Sequence, residues 1–199
     1  MNRLRRPLVL VHGLWDKPSI FNRFIQELDC PGEKIFAPYL EHKFGRVGLM
    51  ELANNLNLQI CRRWGDETLV DLFGFSMGGL VGRIWLQDFG GASRTHRFLS
   101  VGSPHRGTFA AQLVPYAFFP GIAEMKRGSA LIRGLNYDFS KLKDVVCHSF
   151  YCRFDLMVLP GWEALLPVGS IDLIPVLTHQ QLISDRKALR IFSNTLLRS

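Results

Sequence analysis

The chain has 199 residues, 47% of them hydrophobic and 21% charged, a composition that suits one folded domain with a sizeable core and excludes a disordered chain. Its formal charge of +7 comes mainly from scattered arginines. That suits a basic surface that keeps the protein soluble or meets an anionic lipid surface, and no nucleic-acid-binding motif is present. The four cysteines, Cys30, Cys61, Cys147 and Cys152, have neither C-x-x-C nor metal-ligand spacing, and favour a reducing, cytoplasmic setting over a disulfide framework.

Met1 to Arg6 is basic and Pro7 to Val11 is apolar, but the apolar run is too short for a signal segment and leads at once into His12. Leu8-Val9-Leu10-Val11 reads instead as a first, doubly covered parallel strand. Ile20, Phe21, Phe24, Ile25 and Leu28 then recur at helical spacing behind Pro18, and Pro31-Gly32 stops that helix. Lys34 to Ala37 supplies a short second strand. Leu49, Leu52, Leu56 and Ile60 mark a second helix closed by Gly65. Thr68 to Phe73 is the third strand, Met77 to Phe89 a helix ended by Gly90-Gly91, and Phe98 to Val101 a fourth strand.

Arg106 to Asp144 is irregular. Its uncharged part, Phe109 to Ala123, carries Pro115 and Pro120, and no stretch reaches the ~18 apolar residues of a membrane span. Val145 to Cys152 and Ile171 to Leu177 are the remaining strands, Pro175 confining the latter to an edge or an irregular end. Gln180 to Leu197 closes the chain as a helix with Leu182, Leu189, Phe192 and Leu196 on one face. Six strands alternating with helices predict a mostly parallel sheet covered on both faces, in a single domain over residues 1–199.

The chemistry concentrates at Gly74-Phe75-Ser76-Met77-Gly78. Gly-x-Ser-x-Gly alone is a weak pattern, but here a strand runs into it and a helix leaves it, the context of a nucleophile on a sharp turn. Met77 N–H, at the start of that helix, faces a developing oxyanion and is one donor for it. The serine needs a base. In enzymes built on this turn the chain order is Ser, acid, His, which leaves His148 and His179. His148 falls within an apolar strand and reads as a core histidine. His179 follows the last strand and opens at the sheet's carboxyl edge, where catalytic groups gather, so His179 is the expected base.

The acid should leave the preceding strand, as Asp155 does. Glu163, further along the same loop, is the second choice, and Asp172 sits inside the last strand with an edge or structural role. The loop His12-Gly13-Leu14-Trp15 offers the second oxyanion donor, Leu14 N–H, with His12 as an organiser of that loop.

At these residues the chain resembles the α/β-hydrolase lipases and esterases, particularly the short bacterial ones without a large cap domain. Val9 to Leu14 is similar to their oxyanion strand and loop. Gly74 to Gly79 is similar to their nucleophile turn, with Phe75 where histidine is commoner. Gly102 to Thr108 looks like their strand-end Thr-Pro-His-x-Gly turn, and Gly128 to Asn136 like a segment preceding the acid-bearing strand. The stretch Tyr151 to Val158 and the corner Thr178-His179 fall where the family's acid and base lie.

The resemblance implies an α/β-hydrolase fold and cleavage of small-molecule or lipid-like acyl esters through an acyl-enzyme on Ser76, Asp155 and His179. It implies no metal or organic cofactor. A thioesterase or acyltransferase would use the same groups, and a non-catalytic binding protein on this fold is a third reading. Residues 106–144 are the expected substrate mouth or small lid. Within them, Phe109 to Pro120 either walls an acyl chain opposite Leu14 and Trp15 or packs its apolar side chains into the core.

Overall fold

The computed structural model describes residues 3–197; Met1 and Asn2 of the basic N-terminal stretch, and the last two residues of the expected domain, lie outside them. Six strands form one sheet in the order β2-β1-β3-β4-β5-β6, every neighbouring pair parallel. They are β1 (Leu8–Val11), β2 (Ile35–Phe36), β3 (Val70–Phe75), β4 (Thr95–Val101), β5 (Val146–Tyr151) and β6 (Ser170–Leu173). The principal helices are α1 (Asn22–Leu28), α2 (Leu49–Trp64), α3 (Met77–Asp88), α4 (Pro120–Ala123), α5 (Ala130–Tyr137), α6 (Gln181–Ser184) and α7 (Arg186–Leu197).

Side chains that alternate along each strand divide the core in two. Val9, Val11, Val70, Leu72 and Phe98 pack against α2 and α3. Leu8, Leu10, Phe73, Phe75, Leu99 and Val101 face α1 and α7 instead. On that second face the Phe73 ring lies 4.7 Å from Phe24 and 5.6 Å from Phe192, joining α1 and α7 across the middle of the sheet. Strands buried on both sides are continuous apolar runs for this reason.

The closing helix is in two pieces. Asp185 leaves the helical region at ψ 131°, and its Oδ1 accepts the amides of Lys187 (2.8 Å) and Ala188 (3.2 Å). An aspartate that caps the second piece out-competes continuation of the first. The last strand ends at Leu173, before Pro175. His148 is a second correction: it is half-buried rather than a core residue, on the sheet face beside edge strand β6, where Ser170 Oγ lies 2.5 Å from its Nδ1.

The site's position follows from how β3 turns into α3. A Cβ on Gly78 would overlap the carbonyl oxygens of Val11 and His12, and one on Gly74 would overlap the Gly79 backbone. Those neighbours are main chain and cannot rotate away. Gly134, within α5, has nothing within 4 Å of the place its Cβ would take. Gly78→Ala should therefore lower stability by about 3 kcal/mol, whereas Gly134→Ala should raise it by about 0.5 kcal/mol through helix propensity and chain entropy. Urea unfolding midpoints check both, and equal midpoints for the two variants would contradict this account.

Candidate active site

Every residue from Val70 to Gln87 is buried except Ser76. Ser76 takes φ 56° and ψ −129°, a left-handed conformation that costs a non-glycine residue about 1–3 kcal/mol. The turn is held because Ser76 N–H donates to Val101 O at 2.8 Å, continuing the β3–β4 ladder, and Gly79 N–H donates to Ser76 O at 3.0 Å. Both adjacent strands end level with it: Val11 of β1 is in register with Gly74, and Val101 of β4 with Phe75. The loops that follow β1 and β4 therefore flank the serine.

The β1 loop reaches it directly. The place of a Cβ on Gly13 is 2.9 Å from Ser76 Cβ. The loop is anchored by His12, fully buried: Leu40 N–H donates to His12 Nε2 at 3.0 Å, and His12 Nδ1–H donates to Gly13 O at 3.0 Å. Burial lowers the His12 pKa, in keeping with a neutral ring whose two nitrogens are both engaged within the fold. Leu14 follows in this loop. Met77 N–H opens α3 and so has no carbonyl within the helix to bond.

On the other flank His179 lies between the elbow and α6. Its ring packs against Phe75 at 4.8 Å, and Gly102 leaves room for it, a Cβ there falling 3.1 Å from His179 Cε1. His179 Nδ1–H donates to Asp155 Oδ2 at 2.7 Å. Asp155 is 1% exposed, and its other oxygen, Oδ1, accepts the amides of Met157 and Val158, each at 2.9 Å. A buried carboxylate with both oxygens bonded holds the imidazole in the tautomer that leaves Nε2 with its lone pair.

The structure thus brings Ser76, His179, Asp155, Leu14 and Met77 to one end of the sheet. Glu163 is elsewhere: it pairs with Arg127 at 3.2 Å in a cleft of about 820 Å³ that also holds Arg106 and Arg133. Asp172 is exposed on β6.

Side chains of Thr108, Glu124 and Arg83 are among the groups that fasten residues 106–144 to this frame. Thr108 Oγ1 donates to Met157 O at 2.9 Å and accepts Leu159 N–H at 3.2 Å, tying the segment to the Asp155 loop. Glu124 Oε2 accepts Leu49 N–H at 2.6 Å, capping α2. Arg83, fully buried in α3, donates to His105 O, Leu135 O and Asn136 Oδ1 at 3.2, 2.5 and 2.9 Å. Burial pushes its pKa down to about 10. None of these three anchors was picked out from the sequence; an arginine within an otherwise apolar helical face was the one signal available. Between the anchors Leu113, Tyr116 and Phe118 are exposed, so the tip of Phe109 to Pro120 does not pack into the core.

The fold and the turn around Ser76 define an α/β-hydrolase. A family model described as palmitoyl protein thioesterase matches residues 7–153, and the chain belongs to that family; Asp155 and His179 lie outside the matched stretch. Solved structures of lipases and thioesterases share the fold. Lipase B of Aspergillus fumigatus superposes with a TM-score of 0.77 at 18% identity, over 96% of this chain and 52% of the lipase. The chain therefore spans about half the length of that relative. The mature lipase BlEst2 of Bacillus licheniformis gives 0.70 at 14% identity, over 96% and 92% of the two chains. The type II thioesterase BorB from the borrelidin biosynthetic cluster gives 0.64 at 19%, over 99% and 96%. No curated protein matches the sequence significantly.

The backbone strain at Ser76 has a measurable consequence. Ser76→Gly should be more stable than Ser76→Ala by about 1 kcal/mol, because only glycine adopts this φ without strain. Equal urea midpoints for the two variants would remove strain from the description of the turn.

Proposed function

We propose that this chain is a serine hydrolase that cleaves lipid-like acyl esters, with Ser76 as nucleophile, His179 as base and Asp155 as the acid that orients it. The observation that carries this reading is the emergence of one strained serine from the otherwise buried stretch Val70 to Gln87, on the same sheet end as a histidine bonded to a buried carboxylate. Ser76 Oγ attacks the acyl carbon while its proton passes to His179 Nε2. The amides of Leu14 and Met77 hold the oxyanion, each such donor contributing about 3 kcal/mol to the transition state. The imidazolium then protonates the departing alcohol, leaving an acyl-serine. Water gives a proton to His179, attacks the acyl carbon and releases the acid, and the proton returns to Ser76.

Thioester cleavage is a second reading, favoured by the family match. It needs the same groups, with a thiol as the leaving group. Leu113, Tyr116 and Phe118 on the tip and Trp15 on the loop after β1 are all exposed; in this proposal they give an acyl chain a wall to lie along, and 106–144 is the mouth of the site. Contact of that rim with a lipid surface belongs to the same reading.

A fluorophosphonate probe should label the wild-type protein and not Ser76→Ala. His179→Ala should abolish hydrolysis of acyl esters and thioesters, Asp155→Asn should reduce it by at least about a hundredfold, and Glu163→Gln should leave it near wild type. Labelling of Ser76→Ala would refute the serine assignment, and retained activity in Asp155→Asn would refute the acid. For the wall, a series of nitrophenyl esters from two to twelve acyl carbons, roughly 0.8 kcal/mol per buried methylene, should show a preference for longer chains. That preference should flatten in the Phe118→Ser, Phe119→Ser double variant; an unchanged preference would sink the wall.

A further inference from the structure

The loop after β1 carries a carboxylate that the mechanism does not use. Asp16 N–H donates to Gly13 O at 3.4 Å, and Trp15 between them takes φ 65°, so the chain folds Asp16 back over Gly13. The empty place of the Gly13 Cβ is 2.8 Å from Asp16 Oδ2 and 2.9 Å from Ser76 Cβ. The carboxylate and the serine thus both border the space that a Gly13 side chain would fill.

The groups that face Asp16 come from three elements. His179 approaches from the corner before α6 and His42 from the segment after β2, and both lower the Asp16 pKa, as does the Gly13 amide; burial opposes them and raises it overall. His42 is 7% exposed with no hydrogen-bond partner at Nδ1. It meets the His12 ring edge-on at 5.9 Å, and His12 is engaged at both nitrogens. Lys17, next in the chain, is exposed. Asp16 therefore has the Gly13 amide and two histidines about it, while the Asp155 carboxylate is taken up by His179 and its own loop.

We propose that Asp16 is a specificity-determining residue, whose carboxylate turns the site against acyl esters and thioesters bearing negative charge near the scissile bond and toward neutral or cationic ones. This rests on Ser76 being the nucleophile. Charges about 6 Å apart in a partly wet mouth change a rate constant roughly tenfold after screening. The discrimination is present above the raised Asp16 pKa, where the group is ionised, and fades as pH falls through it.

The test uses three butyrate esters, of 4-hydroxybenzoate (anionic), 4-hydroxyacetophenone (neutral) and 4-trimethylammoniophenol (cationic), and the ratio of kcat/KM in Asp16→Asn to that in wild type. At pH 8 the ratio should be about tenfold above one for the anionic ester, near one for the neutral ester and about tenfold below one for the cationic ester. The spread should narrow at lower pH and at high salt. A single common factor for all three esters, whatever its size, would overturn the proposal, because a structural role moves every substrate alike. Fluorophosphonate labelling of the same preparation separates the failures: a labelled variant with uniform ratios refutes Asp16, whereas labelling that survives Ser76→Ala refutes the site itself. If Asp16→Asn does not fold, Asp16→Ser gives the same comparison.

Discussion

The crossing of main chain over main chain between β1 and α3 is the constraint on which the rest of the site depends. α3 starts so close to the end of β1 that no side chain fits at Gly78, and it folds back so sharply on β3 that none fits at Gly74. That closeness sets Ser76 at the apex, puts the β1 loop against it and leaves the first amides of α3 pointing at the same space. The strain at Ser76 is held by the ladder bond to Val101 and by apolar packing on both faces of the sheet. A fold that buries β3 on both sides can impose a conformation that an isolated turn would avoid.

The other half of the site depends on charge satisfaction. A carboxylate as buried as Asp155 is unfavourable unless its oxygens are bonded. The loop after β5 meets that demand with two amides on Oδ1, leaving Oδ2 for His179. The acid is therefore held by its own backbone, and its loop is in turn held by Thr108 from the 106–144 segment. The 106–144 segment and the Asp155 loop share hydrogen bonds: Thr108 bonds the carbonyl of Met157, whose amide bonds Asp155.

The sheet was legible because doubly buried parallel strands are uninterrupted apolar runs, and Leu8 to Val11 admits no other reading in a chain of this composition. The proposed serine, base and acid were chosen at strand ends, since the carboxyl edge of a parallel sheet collects the loops. What escaped the sequence depended on tertiary partners. Asp185 broke the last helix because its side chain captured two amides, which periodicity does not register. His148 left the core because the strand beside it is an edge. Glu163 was the second choice of acid by position, but it pairs with Arg127 from the 106–144 segment, a partner that sequence spacing does not reveal. Asp16 was passed over because a loop aspartate beside a tryptophan carries no periodic signal; its importance comes from the turn that lays it on Gly13.

The groups proposed to perform the reaction and those proposed to choose its substrate differ in how they are held. Ser76, His179 and Asp155 are positioned by the sheet, by main-chain bonds and by one another, and they would act alike on an oxygen or a sulfur leaving group. Trp15, Leu113, Tyr116 and Phe118 stand in the open on loops. Of the anchors, Thr108 bonds main chain on the Asp155 loop, Arg83 bonds main chain and the Asn136 side chain, and Glu124 joins the Leu49 amide to the tip residue Tyr116. Asp16 is between the two groups: its backbone belongs to the loop that shapes the serine's surroundings, and its charge is proposed to act on the entering substrate. In the proposed reading, acyl-chain length is a property of the exposed apolar rim, and tolerance of charge a property of the loop after β1. The two preferences rest on separate elements and can change independently while the reaction stays the same.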